Sequence, residues 1–334
     1  MTLIVLLACA PHTAETVLLE GEARRMPAEW EPQAAVWLQW PQPFDGEEME
    51  QAFVSITEVL ARYETVRILA GSEGTERRGR EALSHVEGDI RWHQAPVSSI
   101  WMRDNGPRYV ELDGELVLQN WEFDGYHDGR PRSMWADDND NPEDVAEILE
   151  MPLERVALVH ERGDLEVNGS DTAIVNWSVV GHRNPGVSRE EATEVFQQTL
   201  GVERVVYLEG FHPQDVTRGH TDGAARFIDE RTVVIPDDGS ELYDTFAQQI
   251  ADQAPDLELV RLEIRDGDPT INWLVGDGYV LTGSTGDAQA DQELETELEA
   301  FFPGREAHSV DIGVLWDNGG GVHCVTNDQP EALR

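Results

Sequence analysis

Tyr109-Val-Glu-Leu-Asp113-Gly114-Glu-Leu-Val-Leu118 is the stretch from which the fold is read. Two short segments rich in Val and Leu flank an Asp-Gly pair, the pattern of two antiparallel strands joined by a tight turn. The same signal returns three times. Leu165-Glu-Val-Asn168-Gly169 leads into Thr172-Ala-Ile-Val175, Arg226-Phe-Ile-Asp229-Glu230 leads into Arg231-Thr-Val-Val234, and Trp273-Leu-Val-Gly276-Asp277-Gly278 leads into Tyr279-Val-Leu281. The turn centres lie about 50–60 residues apart, a period typical of arrays of repeated supersecondary units.

The segments between the hairpins complete the repeat. Met49, Phe53, Ile56, Leu60 and Tyr63 recur at helical spacing, as do Val195, Phe196 and Leu200, then Leu242, Phe246 and Ile250, then Leu294, Leu298, Phe301 and Phe302. A short apolar run follows each: Val66–Ala70, Val205–Leu208, Leu257–Ile264 and His308–Ile312, with Arg155–Val159 after a weaker helix around Val145–Leu149. The fold class is therefore α/β, a ring of ββαβ units. One residue before each hairpin, or at the equivalent place near the C-terminus, marks the period: Asp104, Asp164, His220, Asn272 and Cys324, spaced by 60, 56, 52 and 52 residues. A circular arrangement brings these five positions to one axis. Ring closure predicts that Ala34–Trp40 pairs beside Val322–Thr326, which removes exposed sheet edges.

The chain of 334 residues carries 24 basic and 66 acidic residues, a net charge of −42, and all 24 basic residues are arginine. Acidity is spread along the chain, as in proteins adapted to high salt. Such a surface repels nucleic acid and anionic lipid, which excludes both as partners. No stretch approaches the roughly 20 apolar residues of a membrane span. Leu3–Cys9 is an apolar run ending in Leu-Leu-Ala-Cys. It reads either as a lipoprotein cleavage box, with a lipid anchor at Cys9 and a cell-envelope location, or as a short buried strand of a cytoplasmic protein. Residues 1–25 are accordingly expected as an extension with a polar tether from Ala10 to Arg25, and 26–334 as one domain. The oligomeric state, monomer or homo-oligomer, is open at this point.

Two cysteines, Cys9 and Cys324, do not make a disulfide framework. Cys324 follows Gly319-Gly320-Gly321-Val322-His323, where glycines allow close backbone approach to a ligand. The glycine run favours a nucleophile over a small buried hydrophobe. His323, next to it on an expected strand, points to the opposite face and is not its base. His220 and Asp222, two apart in Gly219-His220-Thr221-Asp222, share one face of an expected strand. They read as an acid/base imidazole beside a carboxylate, a metal pair or a surface turn; without a second ligand cluster, metal is the weaker of these. Asp104, in Trp101-Met102-Arg103-Asp104-Asn-Gly-Pro107, reads as half of an ion pair or as a ligand group. Together, one thiol, one imidazole and several carboxylates suit a planar cation. Carboxylates bind guanidinium bidentately, a thiolate attacks its central carbon, and imidazole protonates the departing nitrogen.

These motifs resemble the agmatine deiminase and bacterial peptidylarginine deiminase family of guanidino-group-modifying enzymes. Met26-Pro-Ala-Glu-Trp-Glu-Pro-Gln-Ala-Ala-Val-Trp37 resembles the family opening. Trp101–Pro107, Gly219–Asp222 and Gly319–Thr326 resemble its active-site segments. The resemblance implies a five-bladed α/β propeller and no metal or organic cofactor. It implies Cys324 as nucleophile, His220 as general acid and base, and Asp104 and Asp222 as guanidinium ligands. Asn272, Trp101 and Glu161 would line the substrate. The expected activity is hydrolysis of agmatine to N-carbamoylputrescine and ammonia, a step toward putrescine. The rivals are citrulline formation from an arginyl peptide and non-catalytic guanidinium binding. Two departures are visible. His160-Glu161-Arg162-Gly163-Asp164 stands where the family has Glu-Gly-Gly-Asn, so Arg162 is expected to alter that loop. Asn120–Asp128 matches a Trp-rich family segment only loosely.

Overall fold

A computed structural model describes residues 3–6, 15–264 and 271–332. They form a mixed α/β fold divided into two compact units. The first comprises Met1–Ala28, Asp104–Leu262 and Ala332–Arg334, and the second Glu29–Arg103 and Glu263–Glu331.

In the first unit, the Asp113-Gly114 hairpin is present as expected, joining Arg108–Leu112 to Glu115–Glu122. Asp113 and Gly114 both adopt left-handed backbone, with φ of 55° and 87°, which matches the twist of the paired strands. The hairpin belongs to a six-stranded sheet in the order Leu3–Leu6, Thr16–Leu19, Leu153–Val159, Glu115–Glu122, Arg108–Leu112, Arg24–Arg25. The tether expected from Ala10 to Arg25 is corrected over its described part, because Thr16–Leu19 and Arg24–Arg25 are sheet strands. Leu18 is buried, and the Arg24 guanidinium is held by both oxygens of the fully buried Glu154 at 2.5 and 2.6 Å. Cys9 and the end of the lipobox reading lie outside the described residues.

Two three-stranded sheets complete this unit. Glu166–Val167 pairs antiparallel with Thr172–Asn176, which runs parallel to Arg204–Leu208. Asn168 fixes the turn, its Oδ1 accepting from the backbone N–H groups of Ser170, Asp171 and Thr172. The helix Arg189–Leu200 between the parallel strands begins with a capping box of Ser188 and Glu191 and ends at Gly201, left-handed at φ 75°. The third sheet holds Arg226–Phe227, Thr232–Asp237 and Glu258–Glu263. The core packs Val110, Trp121, Val175, Phe196 and Leu200 among other apolar residues.

In the second unit, Leu274–Gly276, Tyr279–Gly283 and Glu306–Val310 form a three-stranded sheet, and Thr326–Pro330, Gln33–Gln39, Val66–Ala70 and Ile90–Gln94 a four-stranded one. The expected pairing near the two ends of the chain exists, but its register differs. Thr326 opposes Leu38 and Asp328 opposes Val36, while Val322–Val325 is a helical turn rather than strand. The helix Glu47–Leu60 buries Met49, Phe53, Ile56 and Leu60, the apolar face expected from its spacing. They join Trp40, Ile68, Leu281 and Val325 in one core. No helix among the described residues is long and apolar enough to cross a membrane.

Candidate active site

The marked residues sit where the repeat places them along the chain, each on the turn before a strand. The unit boundary falls between Arg103 and Asp104, inside the short helix Met102–Asn105. Asp104, Glu161, His220 and Asp222 gather in the first unit, and Trp101, Asn272 and Cys324 in the second.

Asp104 is buried. Its Oδ1 accepts the Gly163 N–H at 3.1 Å and lies 3.5 Å from His220 Nδ1, while its Oδ2 accepts the Tyr126 hydroxyl at 2.8 Å. Gly163 is required by this crowding. A Cβ there would lie 2.6 Å from Asp104 Oδ1, 2.7 Å from His220 Nδ1 and 3.4 Å from Asp222 Oδ2. Those distances place both carboxylates and the imidazole around one point of backbone. Arg162, expected to alter the loop, is accommodated in a 3-10 turn, Arg162–Asp164, outside the left-handed region that would demand glycine.

His220 and Asp222 do not lie on a strand. His220 precedes the 3-10 turn Thr221–Gly223, which aims the imidazole between Asp104 and Glu161. Gly219, at φ 94°, is pinned by Asn176 Nδ2, which donates to its carbonyl at 2.8 Å. On the far side, His220 Nε2 lies 3.8 Å from Oε2 of the fully buried Glu161, whose Oε1 accepts from Arg183 Nε at 2.7 Å. Burial opposes charge on the imidazole, but Asp104, Glu161 and Asp222 outweigh it and raise His220 to about 10. Burial pushes the Asp104 carboxyl up to about 6, with Asp222 and Glu161 adding to the rise and His220 opposing it. Burial also works to raise Glu161, yet the Arg183 charge and His220 hold it below the ordinary carboxylate range. The His220 proton is thus held firmly beside an ionised Glu161.

Asp164, the remaining marked residue of this unit, is a support. Its oxygens accept from Asn176 N at 2.9 Å, Thr221 Oγ1 at 2.9 Å and His160 Nε2 at 3.0 Å, so it braces the turn that carries His220.

In the second unit, Cys324 is half-buried in the turn Val322–Val325. Oδ1 of the buried Asn272 lies 3.4 Å from both the Cys324 amide nitrogen and Sγ, and accepts the His323 N–H at 3.1 Å. The glycines permit this packing. A Cβ at Gly321 would lie 2.5 Å from Asn272 Oδ1, and one at Gly320 would lie 2.4 Å from the Trp101 ring and 3.1 Å from Cys324 Cβ. His323 is buried, with Nε2 2.7 Å from Glu29 Oε2, and lies on a helical turn where a strand was expected. Arg103 pairs with Asp328 at 2.6 Å and donates to the His323 carbonyl at 3.2 Å, which anchors the cysteine turn.

Sequence reading missed Tyr126, Arg183 and Glu29. Tyr126 lies in the loosely matching segment, and Arg183 lies in a helix with no motif. Among the described residues, no group of three His, Cys, Asp or Glu is arranged to hold a metal ion.

Comparison with known proteins identifies the surroundings of this chemistry. The family model for Porphyromonas-type peptidyl-arginine deiminase matches residues 25–330. A putative agmatine deiminase of Streptomyces coelicolor is 30% identical over 340 residues, covering 92% of this chain and 98% of the relative. Agmatine deiminase of Pseudomonas putida is 28% identical over 359 residues, covering 92% and 96%. The solved structure of agmatine deiminase of Enterococcus faecalis, 23% identical, superposes with a TM-score of 0.84 over 93% of this chain and 97% of that one, a likeness of fold.

Proposed function

Since the chain belongs to the Porphyromonas-type peptidyl-arginine deiminase family, we propose that it hydrolyses agmatine to N-carbamoylputrescine and ammonia, with Cys324 as nucleophile. The observation that carries this reading is the buried cluster in which Asp104, Glu161 and Asp222 surround His220. A guanidinium is a planar cation with N–H groups on every edge, and such carboxylates match it in charge and geometry. Relatives bearing the name agmatine deiminase over nearly their whole length support the small substrate over an arginyl peptide.

In the proposed reaction, the Cys324 thiolate attacks the guanidinium carbon. Asp104 and Asp222 hold the nitrogens, with Glu161 and Trp101 lining the substrate, and Asn272 sets the thiol's position. The imidazolium of His220 protonates one nitrogen, the C–N bond breaks, and ammonia leaves an amidino-thioether on Cys324. His220, now neutral, removes a proton from water. The hydroxide attacks the same carbon, the C–S bond breaks as the thiolate re-forms, and the added hydroxyl gives its proton to solvent, where the released ammonia becomes ammonium, so that the ureido product departs neutral. The five sheets, each with an equivalent marked residue, support reading the whole as a five-bladed α/β propeller.

Ammonia release from agmatine, free arginine and arginyl peptides tests the reading. Agmatine is expected to be turned over with the highest kcat/KM. Preference for the peptides would transfer the assignment to citrulline formation, and tight agmatine binding without release would make the chain a guanidinium-binding protein.

A further inference from the structure

Tyr126 stands in a backbone conformation that a tyrosine rarely adopts. Gly125, Tyr126 and His127 are successive left-handed residues, with φ of 71°, 69° and 53°. Asp124 holds this turn, its Oδ1 accepting the His127 N–H at 2.8 Å and its Oδ2 lying 2.8 Å from His127 Nδ1. Phe123 is packed edge-on against the Tyr126 ring with centroids 5.2 Å apart. An unfavourable conformation maintained by several contacts fixes where the phenol ends. Its hydroxyl donates to Asp104 Oδ2 at 2.8 Å, and the Arg183 guanidinium that holds Glu161 sits 6.0 Å over its ring.

We infer that Tyr126 is a positioning residue that holds the Asp104 carboxylate in its guanidinium-binding orientation. The inference rests on the proposed deimination and deepens it. Asp104 has two oxygens and two fixed donors, the Gly163 N–H on Oδ1 and the Tyr126 hydroxyl on Oδ2. Together they leave the carboxyl plane no freedom to rotate. The remaining groups that act on Asp104 are His220, Asp222 and Glu161, and its own charge reaches the buried Arg108. Of these, Asp222 and Glu161 disfavour the anion, so the tyrosine donor works with His220 to keep Asp104 ionised.

Tyr126→Phe removes the hydroxyl and keeps the ring. Hydrogen bonds to charged groups set the expected size, so kcat/KM for ammonia release from agmatine falls by about tenfold to a hundredfold, mainly through KM. The acid limb of the kcat/KM profile moves to higher pH, because the Asp104 anion has lost a donor. A variant with the wild-type kcat/KM and acid limb overturns the inference, and so does one that loses thermal stability while its acid limb stays in place. If the wild-type chain releases no ammonia from agmatine, the functional reading fails. The carbon-13 carboxyl titration of Asp104 in both proteins then decides the inference by itself. A higher midpoint in Tyr126→Phe supports it, and equal midpoints overturn it.

Discussion

Oε2 of Glu161 faces Nε2 of His220 across 3.8 Å, and among the described residues neither of these buried atoms has a hydrogen-bond partner. Two opposite charges at that distance hold one another, Glu161 helping to raise His220 and His220 helping to lower Glu161.

His220→Ala removes the group that delivers the proton. Turnover is expected to fall at least about 10²–10⁴-fold, the range for loss of a general acid–base residue. Steady-state ammonia release checks this, and a rate near wild type would take His220 out of the mechanism.

The same imidazole couples stability to pH. Its folded-state value is raised to about 10, above the roughly 6.5 of an unfolded histidine. The folded chain therefore holds this proton more tightly, and the resulting stability is complete near pH 6.5 and is lost as pH rises through about 10. Urea unfolding of wild type and His220→Gln at pH 7 and pH 10 should show the wild-type advantage shrinking at the higher pH. An advantage that grows with pH would contradict the imidazolium assignment.

Gly163→Ala places a methyl 2.6 Å from Asp104 Oδ1 and 2.7 Å from His220 Nδ1. Overpacking of this kind costs about 1–3 kcal/mol, and here the atoms that must move belong to the site. Activity should fall by a larger factor than that stability loss explains. Circular dichroism melts run beside kinetics separate the two, and unchanged kinetics would show that the site has room which the packing denies.

Asp328→Ala leaves the Arg103 guanidinium, itself 2% exposed, without its 2.6 Å partner. Glu29 Oε2, 3.8 Å from the guanidinium, remains, so the cost is expected below the about 3–5 kcal/mol of a buried charge left uncompensated. Because Arg103 also donates to the His323 carbonyl, the cysteine turn should loosen and Cys324 should react faster with iodoacetamide. Equal alkylation rates would separate the ion pair from the thiol's position.

The sequence made the regular parts of the fold legible and left the irregular ones hidden. Asp113-Gly114, Asn168-Gly169, Asp229-Glu230 and Gly276-Gly278 each mark an observed hairpin, because turn chemistry is local. The stripes begun by Met49 and Leu294 appear as the helices Glu47–Leu60 and Ala288–Phe301, with Tyr63 and Phe302 falling just past their ends, for the same reason. The candidate site residues came from motifs, and the backbone expected around them was misread. His220–Asp222 and Val322–Val325 are short turns, stabilised by contacts to Asp164 and Asn272 that lie about 50 residues or more away in sequence. Local pattern carries no record of such contacts. Tyr126 and Arg183 escaped notice because each reaches a buried carboxylate, Asp104 or Glu161, from a segment with no motif of its own. Within residues 15–25 strands stand where a tether was expected, because the apolar signal of Thr16–Leu19 is short and its pairing partner, Leu153–Val159, lies far along the chain.

The central claim is that the sulfur of Cys324 forms a bond to the guanidinium carbon of agmatine. Intact-mass and peptide mass spectrometry of acid-quenched enzyme measures this directly. An adduct, agmatine less ammonia, is expected on the peptide containing Cys324, and neither adduct nor turnover in Cys324→Ala. Ammonia release by a folded Cys324→Ala variant at the wild-type rate would contradict it.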